Sequence, residues 1–161
     1  MTETTRSATH TVQDMTTKKA DSLYSIEREV GVLLHRVRRS SIANASAIHP
    51  DLQPAAYSIL LHVLDHEGAC AADIVEHFGI DKGAVSRQVA HLEKLGLVER
   101  SNNPDDRRVQ TLVGSSLARG RVETVRQERR SVFRGRLRTW TAEDLQEFAA
   151  QLGRYNASLE K

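Results

Sequence analysis

A mainly helical fold is predicted by three features of the 161-residue sequence. Aromatic residues make up only 4%, there are just nine glycines and three prolines, and long stretches carry apolar residues at spacings of three and four. With 39% hydrophobic residues, a chain of this length can bury one core, and the usual size of domains argues for a single one. The expected organisation is a flexible tail over 1–18 followed by one domain over 19–161. Within it, helices over 19–47 and 115–160 form a dimerisation platform around a central lobe over 52–113.

The charge balance excludes a simple electrostatic reading. Twenty-three basic and 21 acidic residues leave a net charge of +2, so any nucleic-acid role must rest on where charge sits, not on its total. The single cysteine, Cys70, cannot build an intrachain disulfide framework or a cysteine-rich zinc module, and it suits a reducing compartment. The opening MTETTRSATHTVQDMTTKKA lacks the apolar centre of a signal peptide, and no run approaches about eighteen apolar residues. A soluble, cytoplasmic protein with no membrane association is expected.

Each element follows from local pattern. Residues 1–18 are rich in Thr and Ser without a period, which predicts the tail. From Ala20 to about Ala47, Leu23, Ile26, Val30, Leu33, Leu34, Val37 and Ile42 mark one face of a helix of roughly 25 residues, close to 40 Å long. Such a helix outreaches a small globule and is suited to spanning two subunits. His49-Pro50-Asp51 breaks it, because the residue before proline is pushed out of the helical region. A second helix is expected from Pro54, whose missing N–H costs nothing in a first turn, to about His66. A short third runs over Ala71–Phe78 and ends at Gly79. Asp81 then caps a fourth helix, which runs to about Leu95 with Val85, Val89, Leu92 and Leu95 inward.

Two short helices joined by Gly79-Ile80 form a helix-turn-helix pattern. Strands over 97–101 and 107–113, with a turn over 102–106, add a hairpin wing. Ser115 is the candidate cap of a fifth helix reaching about Thr139, and Thr141 with Glu143 and Asp144 opens the last.

This arrangement points to DNA. An α-helix fits the major groove, and base contacts come from the early residues of its outer face: here Lys82, Gly83, Ser86, Arg87 and Gln88. Arginine can bridge O6 and N7 of guanine and glutamine can pair with adenine, so Arg87 is the first candidate for direct readout. Arg100 and Asn102 are candidates for backbone contacts. At the wing tip, Arg107 is expected to meet phosphate and Arg108 the minor groove, with Asp106 structuring the turn. A solvated amphipathic helix would carry similar residues. The short preceding helix, the glycine turn and the basic hairpin together favour the DNA reading.

Residues 50–120, through AADIVEHFGIDKGAVSRQVAHLEKLGLVER and NPDDRRVQTLVGSS, resemble the MarR (multiple antibiotic resistance regulator) family of winged helix-turn-helix regulators, and the flanking helices extend the similarity to about 20–160. The resemblance implies a homodimer that binds pseudopalindromic double-stranded DNA, acting as a repressor released by a small phenolic or amphipathic ligand. It assigns Asp106 and Arg108 to an Asp-x-Arg wing motif and Gly83 to Gln88 to the base-reading segment. One departure is Gly114-Ser115, where the family commonly has Leu-Thr. Serine keeps the cap, while the glycine predicts a looser junction and a more mobile wing.

A family-like pocket would be lined by His35, Arg39, Tyr57, Leu61 and His62, which offer apolar walls with a few polar handles. Cys70, at a helix N-terminus where amide dipoles favour thiolate, is the one candidate for a redox-responsive repressor. His62 and His66 share a spacing of four, with His77 or His49 as further nitrogen donors, but helical histidines are mostly not ligands, so no metal site and no cofactor are expected. No GxSxG, HExxH, phosphate-binding glycine loop or dinucleotide glycine pattern occurs, so no catalytic residue is assigned and no enzyme is expected. The remaining alternative, a helical protein-interaction module without DNA binding, has no use for a basic wing beside a groove-sized helix.

Overall fold

The computed structural model describes residues 3–66, 68–102 and 110–159, with side chains described from Thr17 onward. The order is α1 (Glu3–Ile48), α2 (Pro54–Asp65), α3 (Ala71–Phe78), α4 (Lys82–Lys94), β1 (Val98–Asn102), β2 (Gln110–Gly114), α5 (Ser116–Arg136) and α6 (Ala142–Leu159). A mainly α fold with one small hairpin is therefore observed.

Helix α1 departs from expectation at its start. Residues 1–18 are predicted as a tail, yet the backbone is helical from Glu3. Once a helix is nucleated, each further residue adds a hydrogen bond without a new nucleus, and neither proline nor glycine interrupts the sequence before Gly31. Only the far end of α1 enters the core, through Ala45 and Ile48. Its apolar stripe lies open in the single chain: Leu23, Ile26, Leu33, Leu34, Val37 and Ile42 are each at least half exposed.

The core gathers where α1 ends. Leu52, Ala56, Tyr57, Ile59, Leu60 and Val63 of the α2 region pack with Ile74 of α3, Val85, Val89 and Leu92 of α4, Leu97 and Val98 of the wing, and Ala118, Val122 and Val125 of α5. Burying a large aliphatic side chain contributes about 1.5–3 kcal/mol, so this cluster is what fixes the angle between α4 and its neighbours.

Terminal chemistry sets the corners. Gly79 takes the left-handed φ of 61° that ends α3. Helix α4 closes with a Schellman motif: Gly96 has φ 67°, its N–H donates to the Glu93 carbonyl at 2.9 Å, and the Leu97 N–H donates to Leu92 at 3.0 Å. Leu92 and Leu97, the apolar pair that usually accompanies this motif, are both fully buried. Ser115 couples that corner to α5, since its Oγ accepts from the Ala118 N–H at 3.2 Å and donates to the Gly96 carbonyl at 2.8 Å. At the start of α6, the Thr141 N–H donates to Asp144 Oδ2 and the Asp144 N–H donates to Thr141 Oγ1, each at 3.1 Å, a reciprocal capping box.

The hairpin pairs β1 and β2 antiparallel, with Val98 opposite Gly114 and Asn102 opposite Gln110. The sequence reading missed an added bridge: Cys70 pairs with Thr111, and the Leu112 N–H donates to the Ala69 carbonyl at 2.8 Å. The start of α3 is thereby tied to the wing. Gly114 is also not a loose joint, contrary to expectation. It is buried, and a Cβ placed on it would overlap Leu64 Cδ2, so glycine serves here for close packing of β2 on α2.

Candidate nucleic-acid interface

The outer face of α4 is built from its N-terminus. Asp81 Oδ1 accepts from the Ala84 N–H at 2.8 Å, satisfying one of the amides that a first turn leaves unpaired. Val85, Val89 and Leu92 turn into the core, so the helical period places Lys82, Gly83, Ser86 and Arg87 together on the exposed side. Gly83 keeps that face low. A side chain there would stand 3.0 Å from Asp81 Oδ1 and 3.4 Å from Arg87 Nη1, so the Arg87 guanidinium lies back over the first turn of the helix. The product is an exposed cationic fork beside a helix start, bounded by a small residue.

Two other candidates are placed differently from the simplest expectation. Gln88 is half-buried, and its Oε1 is buried with no hydrogen-bond partner among the described residues. Arg100 is engaged within the subunit: Nε donates to Glu93 Oε1 at 2.8 Å, Nη2 to Glu93 Oε2 at 3.2 Å and Nη1 to Gln110 Oε1 at 3.2 Å. This fork joins α4 to both strands of the wing. Glu93 and Gln110 were missed by sequence reasoning, because only the fold brings residues 93, 100 and 110 together across a helix–strand corner. Asn102 is exposed at the end of β1. Asp106, Arg107 and Arg108 lie outside the described residues.

The ligand candidates do not converge on one described cavity. His35 and Arg39 are exposed on α1, Tyr57 and His62 are buried in α2, and Leu61 is half-buried there. An open groove of about 970 Å³ runs between α1 and α6, lined by Ile26, Val30, Leu33, Trp140, Phe148 and Leu152 among others, and none of the five candidates lines it. Cys70 is half-buried at the start of α3. Its N–H donates to Asp73 Oδ2 at 2.7 Å, and that bond is the main reason the Asp73 carboxyl titrates below its ordinary value. Among the described residues, no group of three or more His, Cys, Asp or Glu side chains is arranged to hold a metal ion. No helix among them is long and apolar enough to cross a membrane.

A short helix, a left-handed glycine turn, a capped helix with an open cationic face and a two-stranded hairpin define a winged helix-turn-helix protein. Comparison with known proteins agrees. The model of the MarR family matches residues 51–109. The uncharacterized HTH-type transcriptional regulator YxaD of Bacillus subtilis (strain 168) is 30% identical over 107 residues, 66% of this chain and 74% of that protein. A second regulator of the same strain, YwhA, is 30% identical over 92 residues, 56% of this chain and 66% of that protein. The crystal structure of a putative MarR family transcriptional regulator from Listeria monocytogenes, complexed with 26mer DNA, superposes with a TM-score of 0.62 at 19% identity, covering 82% of this chain and 87% of that one. The chain belongs to the MarR family of DNA-binding transcriptional regulators, which are not enzymes.

Proposed function

We propose that two copies of this chain join through α1, α5 and α6 and present their α4 helices to successive major grooves of a pseudopalindromic operator, repressing transcription until a small amphipathic or phenolic ligand changes their spacing. The observation that carries this is the outer face of α4, where Lys82, Ser86 and Arg87 are exposed beside Gly83 at the end of the helix that enters a groove in such folds. In this reading Arg87 reads guanine, while Lys82 and Ser86 meet phosphate or bases. Asn102, Arg107 and Arg108 follow the backbone and the minor groove from the wing, with Asp106 holding its turn. Arg100 stays with Glu93 and aims the wing.

Pairing is supported by apolar surface that one chain leaves uncovered. Phe148, Leu152, Tyr155 and Leu159 of α6 are 39–67% exposed, and no residue of α6 is buried. Phe148, Leu152 and Tyr155 share one groove with Ile26 and Leu33 of the α1 stripe, exposed apolar surface of the kind that marks interaction sites. In a two-fold dimer the half-sites would lie about one helical turn apart, roughly 34–36 Å, or a multiple of it. The experiment is recovery of bound DNA from the native cell, followed by sedimentation of the protein with and without the recovered duplex. The reading expects a shared motif with two-fold symmetry and a complex containing two chains per site. Recovery without a common motif, or a complex with one chain, contradicts it.

A further inference from the structure

Three imidazoles are packed together where α2 ends. The rings of His62 and His66 are stacked at 4.2 Å between centroids with a 21° interplanar angle. His77, from α3, lies 4.4 Å from His62 and 6.4 Å from His66. Phe78 closes the cluster, edge-on to His62 at 5.7 Å and to His77 at 4.7 Å. His62 is 9% exposed, whereas His66 and His77 face solvent. Helix α3 packs mainly on α4, which itself packs on α2, and the ring contacts of His77 and Phe78 with His62 add a direct link from α3 to α2.

We propose that the His62–His66–His77 cluster is an acid-sensitive latch: protonation in mildly acidic solution opens the contact between α2 and α3 and weakens the protein's hold on DNA. The proposal rests on the DNA-binding reading above. Neutral rings pack readily, but placing a second or third positive charge in rings 4.2–6.4 Å apart is costly, and most costly at the ring already withdrawn from water. Burial is the largest cause that holds His62 below its ordinary value near 6.5, followed by the nearness of His66 and His77. An open state therefore takes up protons that the closed state refuses, so closure is favoured above that value and lost as pH falls below it.

The surrounding charges do not cancel the effect. Asp73 of α3 and Asp65 of α2 favour the charged form, but they rank below burial and the two histidines. Asp65 is already held by Arg126 of α5 at 2.7 Å. Glu76 neighbours His77 along α3. From α4, His91 faces the opposite end of α2, bonding the Asp51 carbonyl at 3.0 Å. The described β2 residues carry no charged side chain, and α1 meets the core through Ala45 and Ile48.

The test compares wild type with the His66→Gln/His77→Gln double variant, both positions being exposed. Hydrogen exchange of the α3 amides and affinity for the DNA recovered from cells are each followed from about pH 7.5 to about pH 5.5. The expected result is lower α3 protection, relative to the intrinsic exchange rate at each pH, and about a ten-fold loss of affinity for wild type, with a clearly smaller change in both for the double variant, in which only the burial of His62 still opposes its protonation. Equal pH responses in the two proteins overturn the latch, as does a wild-type response abolished by a chelator, which would mean that protons compete with a metal. Failure of wild type to bind the duplex at pH 7.5 would instead count against the DNA-binding reading, and the α3 exchange result would still decide the latch.

Discussion

Gly114 of β2 and Leu64 of α2 touch so closely that no side chain larger than hydrogen fits between them. This contact sets the root of the wing against the second helix, next to the corner where Ser115 bonds Gly96. Gly114→Ala is expected to destabilise the protein by about 1–3 kcal/mol, the usual cost of overfilling a packed site. Adding Leu64→Val, which removes the obstructing Cδ atoms, should recover part of that loss. Denaturant titrations of the two single variants and the double variant, at fixed protein concentration, check this; strictly additive losses would show that the two positions do not press on each other.

The start of α4 depends on Asp81. Because its carboxylate accepts from Ala84, Asp81→Ala should cost about 0.5–2 kcal/mol, while Asp81→Asn, which can still cap, should cost much less. Thermal unfolding of the three proteins separates the two effects. Equal losses for Ala and Asn would mean that the charge, not the hydrogen bond, matters.

The Arg100–Glu93 pair orients the wing more than it stabilises the fold. The two side chains are 42% and 30% exposed, and pairs with that much solvent contribute less than about 1 kcal/mol. Glu93→Gln should therefore leave the unfolding midpoint almost unchanged, while hydrogen exchange at the β1 and β2 amides should speed up. An unchanged exchange pattern would remove Arg100 from its positioning role.

Acid acts on the start of α3 in a defined direction. The folded Asp73 carboxyl lies below its ordinary value of 3.8 because the Cys70 N–H donates to it. A depressed carboxylate adds stability that is present above the unfolded value and lost as pH falls through the folded one. Asp73→Asn should thus lower stability at neutral pH and flatten the acid limb of the stability profile below about pH 4. A parallel shift of the whole profile would contradict the assignment.

Most of the fold was legible because its signals are local. Pro54, Gly79, Asp81, Gly96, Ser115 and Thr141 each mark a helix end through chemistry confined to a few neighbours, and all six appear at or beside the observed boundaries. Core residues such as Ile74, Val89 and Leu92 follow from helical period. What escaped the sequence is long-range. The Cys70–Thr111 bridge, the Glu93–Arg100–Gln110 cluster and the Gly114–Leu64 contact join residues that only tertiary packing brings together, and the last reverses what glycine suggests at a junction. The three-histidine cluster shows the same limit: the spacing of His62 and His66 was visible, but His77 arrives from another helix. The extension of α1 to Glu3 runs against the compositional signal of its Thr-rich start.

On the proposed function, the exposed start of α4 reads bases through Arg87. Equilibrium binding of wild type and Arg87→Ala to the recovered operator, and to duplexes carrying each single base-pair substitution, tests it directly at fixed salt. Wild type should lose about 1–3 kcal/mol on replacement of one G·C pair in each half-site, and Arg87→Ala should bind more weakly and become indifferent to that pair. An Arg87→Ala protein that keeps both wild-type affinity and wild-type discrimination at every position would contradict the account.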